Sequence, residues 1–127
     1  MHACLQGQRH HRCTGAALAV AVSLLEASAF TEAGRIMLLT GGPATVGPGA
    51  IVTADYAEAL RTHKDLDKGS AKHFTASSGF YDGLAHRLIE NGQALDVFAC
   101  ALDQVCCSLL PVVFILCLPV VRICCST

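Results

Sequence analysis

Gly34-Arg-Ile-Met-Leu-Leu-Thr-Gly-Gly-Pro-Ala-Thr-Val-Gly-Pro-Gly49 is the stretch that decides the fold. A short apolar strand, Arg35–Thr40, runs directly into a loop holding four glycines and two prolines. Further along, Ala94-Leu-Asp-Val-Phe-Ala-Cys-Ala-Leu102 reads as a second strand, a near-continuous apolar run of the kind buried on both faces of a parallel sheet. A helical pattern lies between them. Strand, Gly-rich loop, helix and strand make the βαβ unit of an α/β fold, with parallel strands flanked by helices.

Outward from that unit the other elements follow. Ala16–Ala27 is apolar on nearly every face with Glu26 its only charge, which predicts a helix packed on the sheet and covered by other elements. Thr14 is placed to cap it through its hydroxyl. Gln8-Arg-His-His-Arg12 is a small basic cluster read as a solvated loop; its His10–His11 pair has no third or fourth ligand near it. Residues 1–6 read as a disordered lead-in. Ile51–His63 is a linking stretch with little periodicity. From Asp65 a helical pattern sets in, with Leu66, Phe74, Tyr81, Leu84 and Leu88 on one face. Asp65 and Asp67 would sit at its dipole-favoured start, and Asn91-Gly92 would stop it. Thr75-Ala-Ser-Ser-Gly79 puts poor helix formers inside that span and predicts a break there.

Composition excludes several functions. The 127 residues fit one domain at most, and a net charge of −1 gives no clustered basic face for nucleic acid. Eight cysteines are present, but Cys4, Cys13 and Cys100 stand singly, and the others crowd the tail as Cys106-Cys107, Cys117 and Cys124-Cys125. No C-x-x-C occurs, so a zinc ribbon has no knuckle to build on. Met1–Thr14 lacks the apolar core of a secretory signal, which makes a reducing cytosolic compartment the expected one.

Catalytic chemistry is equally hard to assemble. Gly42 and Gly47 have the first part of a P-loop spacing, but Pro48-Gly49 stands where the motif needs Lys and Ser or Thr. Pro48 also removes an N–H that would cradle phosphate. The loop is therefore read as a turn whose glycines adopt positive φ. No Ser or Cys lies in a G-x-S-x-G setting. His73 and His86 fall on different faces at about 100° per residue. Asp55, Glu58, Asp65 and Asp67 read as ordinary surface acids. The expected catalytic, cofactor and metal sites are none.

Certain words nevertheless carry a likeness. Arg12-Cys-Thr-Gly-Ala-Ala-Leu18, the Arg35–Gly49 stretch, Thr62-His-Lys-Asp-Leu-Asp-Lys68, Phe80-Tyr-Asp-Gly-Leu-Ala85 and Ala99-Cys-Ala-Leu-Asp-Gln-Val105 occur in order. Together they resemble the Sec-twenty-three family of COPII vesicle-coat subunits, in its plant and green-alga flavour. The likeness covers residues 7–105, and it implies part of the family's trunk domain, a von Willebrand A-like and thus Rossmann-like fold. It further implies a fragment of an inner-coat component of endoplasmic-reticulum-to-Golgi traffic. Its partners would be the Sec-twenty-four coat subunit, the small GTPase Sar-one and the outer COPII coat. Its place would be the cytoplasm, peripheral on the endoplasmic-reticulum membrane and its vesicles.

The full-length family activates Sar-one through an arginine finger in a more C-terminal domain and binds zinc through an upstream finger. Neither has a counterpart in this sequence, so neither an enzyme activity nor a GTPase-activating one is expected of it. The D-x-S-x-S metal motif of metal-binding von Willebrand A domains is absent as well, and Gly41 follows Thr40 where those domains carry an Asp.

Residues 106–127 depart from the family and form a hydrophobic, Cys-rich tail. Every valine codon begins with GT, the dinucleotide that opens most introns, so a read-through at Val105 would produce such a tail. A tail anchor is the alternative. As a helix Val105–Val121 would span about 26 Å, short of the roughly 30 Å hydrocarbon core, and Pro111 and Pro119 would disturb it. Besides the coat fragment, a stand-alone von Willebrand A-like binding module, a tail-anchored membrane protein and a small α/β enzyme remain as alternatives. Without the tail's help the sheet is expected to hold two strands with both edges open.

Overall fold

The computed structural model describes residues 7–28, 34–57, 64–65, 68, 71–100 and 121–125. Its regular elements run α1 (Thr14–Ala27), β1 (Arg35–Thr40), α2 (Phe74–Glu90), β2 (Ala94–Ala99) and β3 (Val121–Cys125). The strands form one sheet in the order β1-β2-β3. Both pairings are parallel, with Arg35 opposite Ala94, Thr40 opposite Ala99 and Leu95 opposite Val121. This is the α/β arrangement expected, with one addition. The tail contributes a third strand, so β2 lies in the centre of the sheet rather than at an edge.

The core lies between the sheet and the two helices. Leu18 and Val22 of α1, Leu84, Ala85 and Leu88 of α2, and Leu95 and Val97 of β2 form one buried cluster. Ile36, Leu38, Phe80 and Tyr81 pack against it. The register explains the choice: Ile36 opposes Leu95 and Leu38 opposes Val97, so these four side chains share the face under the helices. Truncating a leucine in such a core costs about 2–5 kcal/mol.

Four local expectations need correction. The helix begins at Phe74 and runs unbroken to Glu90, not from Asp65 with a break at Thr75–Gly79. Those poor helix formers occupy the opening turns, where propensity matters least. Ser77, fully buried, donates its hydroxyl to His73 O (2.6 Å) and Phe74 O (3.2 Å), so its polar atom is satisfied inside the first turn. Lys64 and Asp65 carry a separate helical piece, with Lys68 N–H donating to Lys64 O at 3.1 Å. Leu66 and Asp67 lie outside the described residues.

Thr14 is the first residue of α1, not its cap. Cys13 holds the cap position and makes no side-chain cap bond; its carbonyl accepts from Ala17 N–H at 3.2 Å. The second strand ends at Ala99, and Ala101 and Leu102 lie outside the described residues. The lead-in 1–6, Glu58, Cys4 and tail residues 106–120 also lie outside them.

Burial of α1 is one-sided, whereas in β2 the face away from the helices is divided, with Asp96 buried and Phe98 exposed. In α1, Leu18 and Val22 are buried while Val20 and Leu24 are exposed, so an all-apolar helix shows its outer face to solvent. In β2, Leu95, Val97 and Ala99 are buried but Phe98 is 39% exposed.

Gly92 ends α2 as expected. Its φ of 61° lets Gly92 N–H reach Ile89 O (3.0 Å) and Gln93 N–H reach Leu88 O (2.8 Å). That is the double bond of a Schellman stop, and it turns the chain straight into β2. Among the described residues no helix is long and apolar enough to cross a membrane.

Candidate functional site at the carboxyl end of the sheet

In an open parallel sheet, ligands bind beyond the carboxyl ends of the strands, so the loop after β1 is the place to look. In this chain that place is filled by the chain itself. Gly42, Pro43, Ala44 and Thr45 are buried, and Thr40 Oγ1 donates to Gly42 O at 3.0 Å. The Arg12 guanidinium lies across Gly42, its Nη1 2.7 Å from where a Cβ would stand.

The glycines are required by contact as well as by φ. Of the loop's four glycines, all expected at positive φ, only Gly47 and Gly49 adopt it, at 76° and 73°; Gly41 and Gly42 do not. A Cβ at Gly47 would overlap Cys13 Sγ, and one at Gly49 would come 2.7 Å from Tyr81 Cζ. Gly15, in the first turn of α1, is pressed against the Pro48 carbonyl. The loop 47–49 is thus a wedge seated between the start of α1 and the middle of α2. Tyr81 fixes it by donating its hydroxyl to Gly49 O at 3.1 Å. Burial, with Cys13 nearby adding to the effect, pushes the Tyr81 phenol up to about 12.

A strap holds the loop from the other side. Thr45 Oγ1 accepts from Arg12 N–H (2.9 Å) and donates to His10 O (2.9 Å). Thr45 N–H and Val46 N–H both donate to Arg12 O, at 2.9 and 3.2 Å. Arg9 N–H donates to Ala54 O at 2.6 Å, and Gln8 pairs with Asp55 in an antiparallel bridge.

Arg9 corrects the reading of its cluster as a solvated loop. It is 6% exposed, donates from Nη1 to Asp55 O at 2.7 Å, and lies 4.8 Å from the centre of the Tyr56 ring. Its long stem and planar head let it bury beneath a ring while still satisfying backbone carbonyls. His10 and His11 are exposed, as that reading had them.

Among the described residues, the remaining polar side chains do not assemble a reacting centre. Ser78, Asp82 and His86 stand at successive turns of α2, with Asp82 Oδ2 3.9 Å from His86 Nε2. Eight residues of helix put the Ser78 and His86 backbones about 12 Å apart, too far for a hydroxyl–imidazole relay. His73 precedes α2 and is half-buried, while His86 is exposed on it. Asp55 Oδ1 accepts from Ala57 N–H at 2.8 Å, an ordinary turn contact. Cys13 and Cys100 are free thiols, both exposed. Among the described residues no three His, Cys, Asp or Glu side chains converge as metal ligands would.

Two further features escaped the sequence reading. Arg87 of α2 donates from Nε to Glu26 Oε1 of α1 at 2.9 Å and from Nη2 to Ser23 Oγ at 3.0 Å, tying the helices together at the surface. The hydrogen bond from Arg87 holds the Glu26 carboxyl below its usual range. On the opposite face of the sheet, Met37 is 66% and Leu39 76% exposed, and Phe98 stands opposite Leu39. Arg35 pairs there with Asp96 at 3.2 Å. Alternation along β1 was the available signal for that face, but a strand of five apolar or neutral residues in six shows no polar side to read.

The observed site is a set of fixed backbone contacts on a parallel α/β layer. Residues 3–113 match the Sec23/Sec24 trunk domain, and the chain belongs to that family. The chain is similar to the protein transport protein SEC23 F of Arabidopsis thaliana, with 48% identity over 99 residues. That alignment covers 78% of this chain and 13% of the relative, so the chain spans a small part of the relative's length.

Proposed function

We propose that this chain is part of an inner-coat component of COPII vesicles, serving endoplasmic-reticulum-to-Golgi protein transport through protein contacts. The observation that carries this reading is the match to the trunk family over residues 3–113, together with 48% identity to a protein transport protein. The geometry supports it in kind: glycines and buried polar groups are spent on backbone contacts, with no nucleophile–base pair among the described residues. In this reading the partners are the Sec-twenty-four coat subunit, the GTPase Sar-one and, through a full-length protein, the outer coat. The location is peripheral on the endoplasmic-reticulum membrane and its vesicles. The trunk unit is residues 7–105, and residues 106–127 are an addition to it. Neither a cofactor nor a catalytic residue is assigned.

The test is recruitment to liposomes carrying Sar-one bound to a non-hydrolysable GTP analogue, with and without the Sec-twenty-four subunit. The chain is expected to float with the vesicles only when those coat proteins are present. A chain that is folded by circular dichroism yet stays in the soluble fraction overturns the reading. Flotation with bare vesicles, resistant to alkaline extraction, turns it toward a tail-anchored protein.

A further inference from the structure

No further inference is drawn: the strongest candidate, the apolar patch that Met37, Leu39 and Phe98 present on the face of the β1–β2 sheet away from α1 and α2, has nothing among the described residues to show what covers it.

Discussion

Gly15 and the Pro48 carbonyl meet so closely that no side chain fits between them: a Cβ on Gly15 would overlap that oxygen and stand 2.9 Å from Phe80 Cε1. The obstacle is backbone on one side and a ring packed against the core on the other, so neither yields cheaply. Gly15→Ala is therefore expected to destabilise the chain by about 1–3 kcal/mol, the usual cost of overpacking. Gly83 supplies the control. It sits inside α2 with open space where a Cβ would go, so Gly83→Ala should stabilise by roughly 0.5–1 kcal/mol through helix propensity. Urea midpoints followed by circular dichroism would separate the two, and equal shifts in one direction would refute the wedge.

The uncovered face of β1 should make residues 1–127 prone to self-association when expressed alone. Leu39 is 76% exposed beside Met37, and apolar side chains on an open sheet are a recognised route to aggregation. Leu39→Lys places a charge where solvent already reaches, so it should lower association without disturbing secondary structure. Size-exclusion chromatography with light scattering reads the first quantity and circular dichroism the second. A wild-type chain that runs as a monomer at the same concentration would count against this account.

Tyr81 makes stability sensitive to alkali. Burial raises its phenol to about 12 from an ordinary 10, so the folded state holds the proton more tightly than the unfolded one. The contribution is therefore complete below pH 10 and is lost as pH rises toward about 12. Tyr81→Phe should remove that part of the alkaline decline, while losing about 1 kcal/mol at neutral pH with the bond to Gly49 O. Melting temperatures for both chains across that window test the claim; parallel curves would contradict it.

Glu26 acts in the opposite pH range. Its hydrogen bond from Arg87 lowers the folded carboxyl below its unfolded value, so the linkage stabilises above the ordinary carboxylate range. It is lost as pH falls through the lowered value. Glu26→Gln should flatten the acid side of the stability profile, and added salt should weaken the wild-type effect because the pair is at the surface. Chemical denaturation at two ionic strengths across the acid range would show both trends.

The transport reading makes a prediction about GTP. In the proposed reading the arginine finger lies outside these 127 residues, and its removal typically costs 10³ to 10⁵ in rate, so residues 1–127 should leave single-turnover hydrolysis by Sar-one unchanged. Stimulation approaching that of a full-length family member would show that a catalytic arginine had been overlooked among these residues.

The sequence by itself determined the βαβ order, the β1 boundaries, a glycine turn after β1 and the helix stop at Asn91-Gly92, while which two of the loop's four glycines take positive φ came from the structure. The features legible in the sequence rest on local chemistry: apolar runs, ring closure in proline, and the absence of a Cβ in glycine. The same reading placed Leu84 and Leu88 in the core, because a helical period needs only one stripe of chain to be visible. The family, too, was legible in words such as Arg12–Leu18 and the Gly-rich loop.

Only the tertiary structure decided the rest. Thr45 became the link between the strap and the loop because its hydroxyl meets His10 and Arg12, 35 and 33 residues away. Arg9 left solvent because Tyr56 and the carbonyls of residues 53 and 55 lie above it. Ser77 is tolerated in the buried first turn of its helix because the His73 and Phe74 carbonyls accept its hydroxyl. The sheet gained Val121–Cys125 as a neighbour of β2, and the faces of β1 were sorted into covered and bare by the helices that pack on one side. Contacts between distant residues depend on where the chain returns in space, and no local pattern of side chains encodes that return.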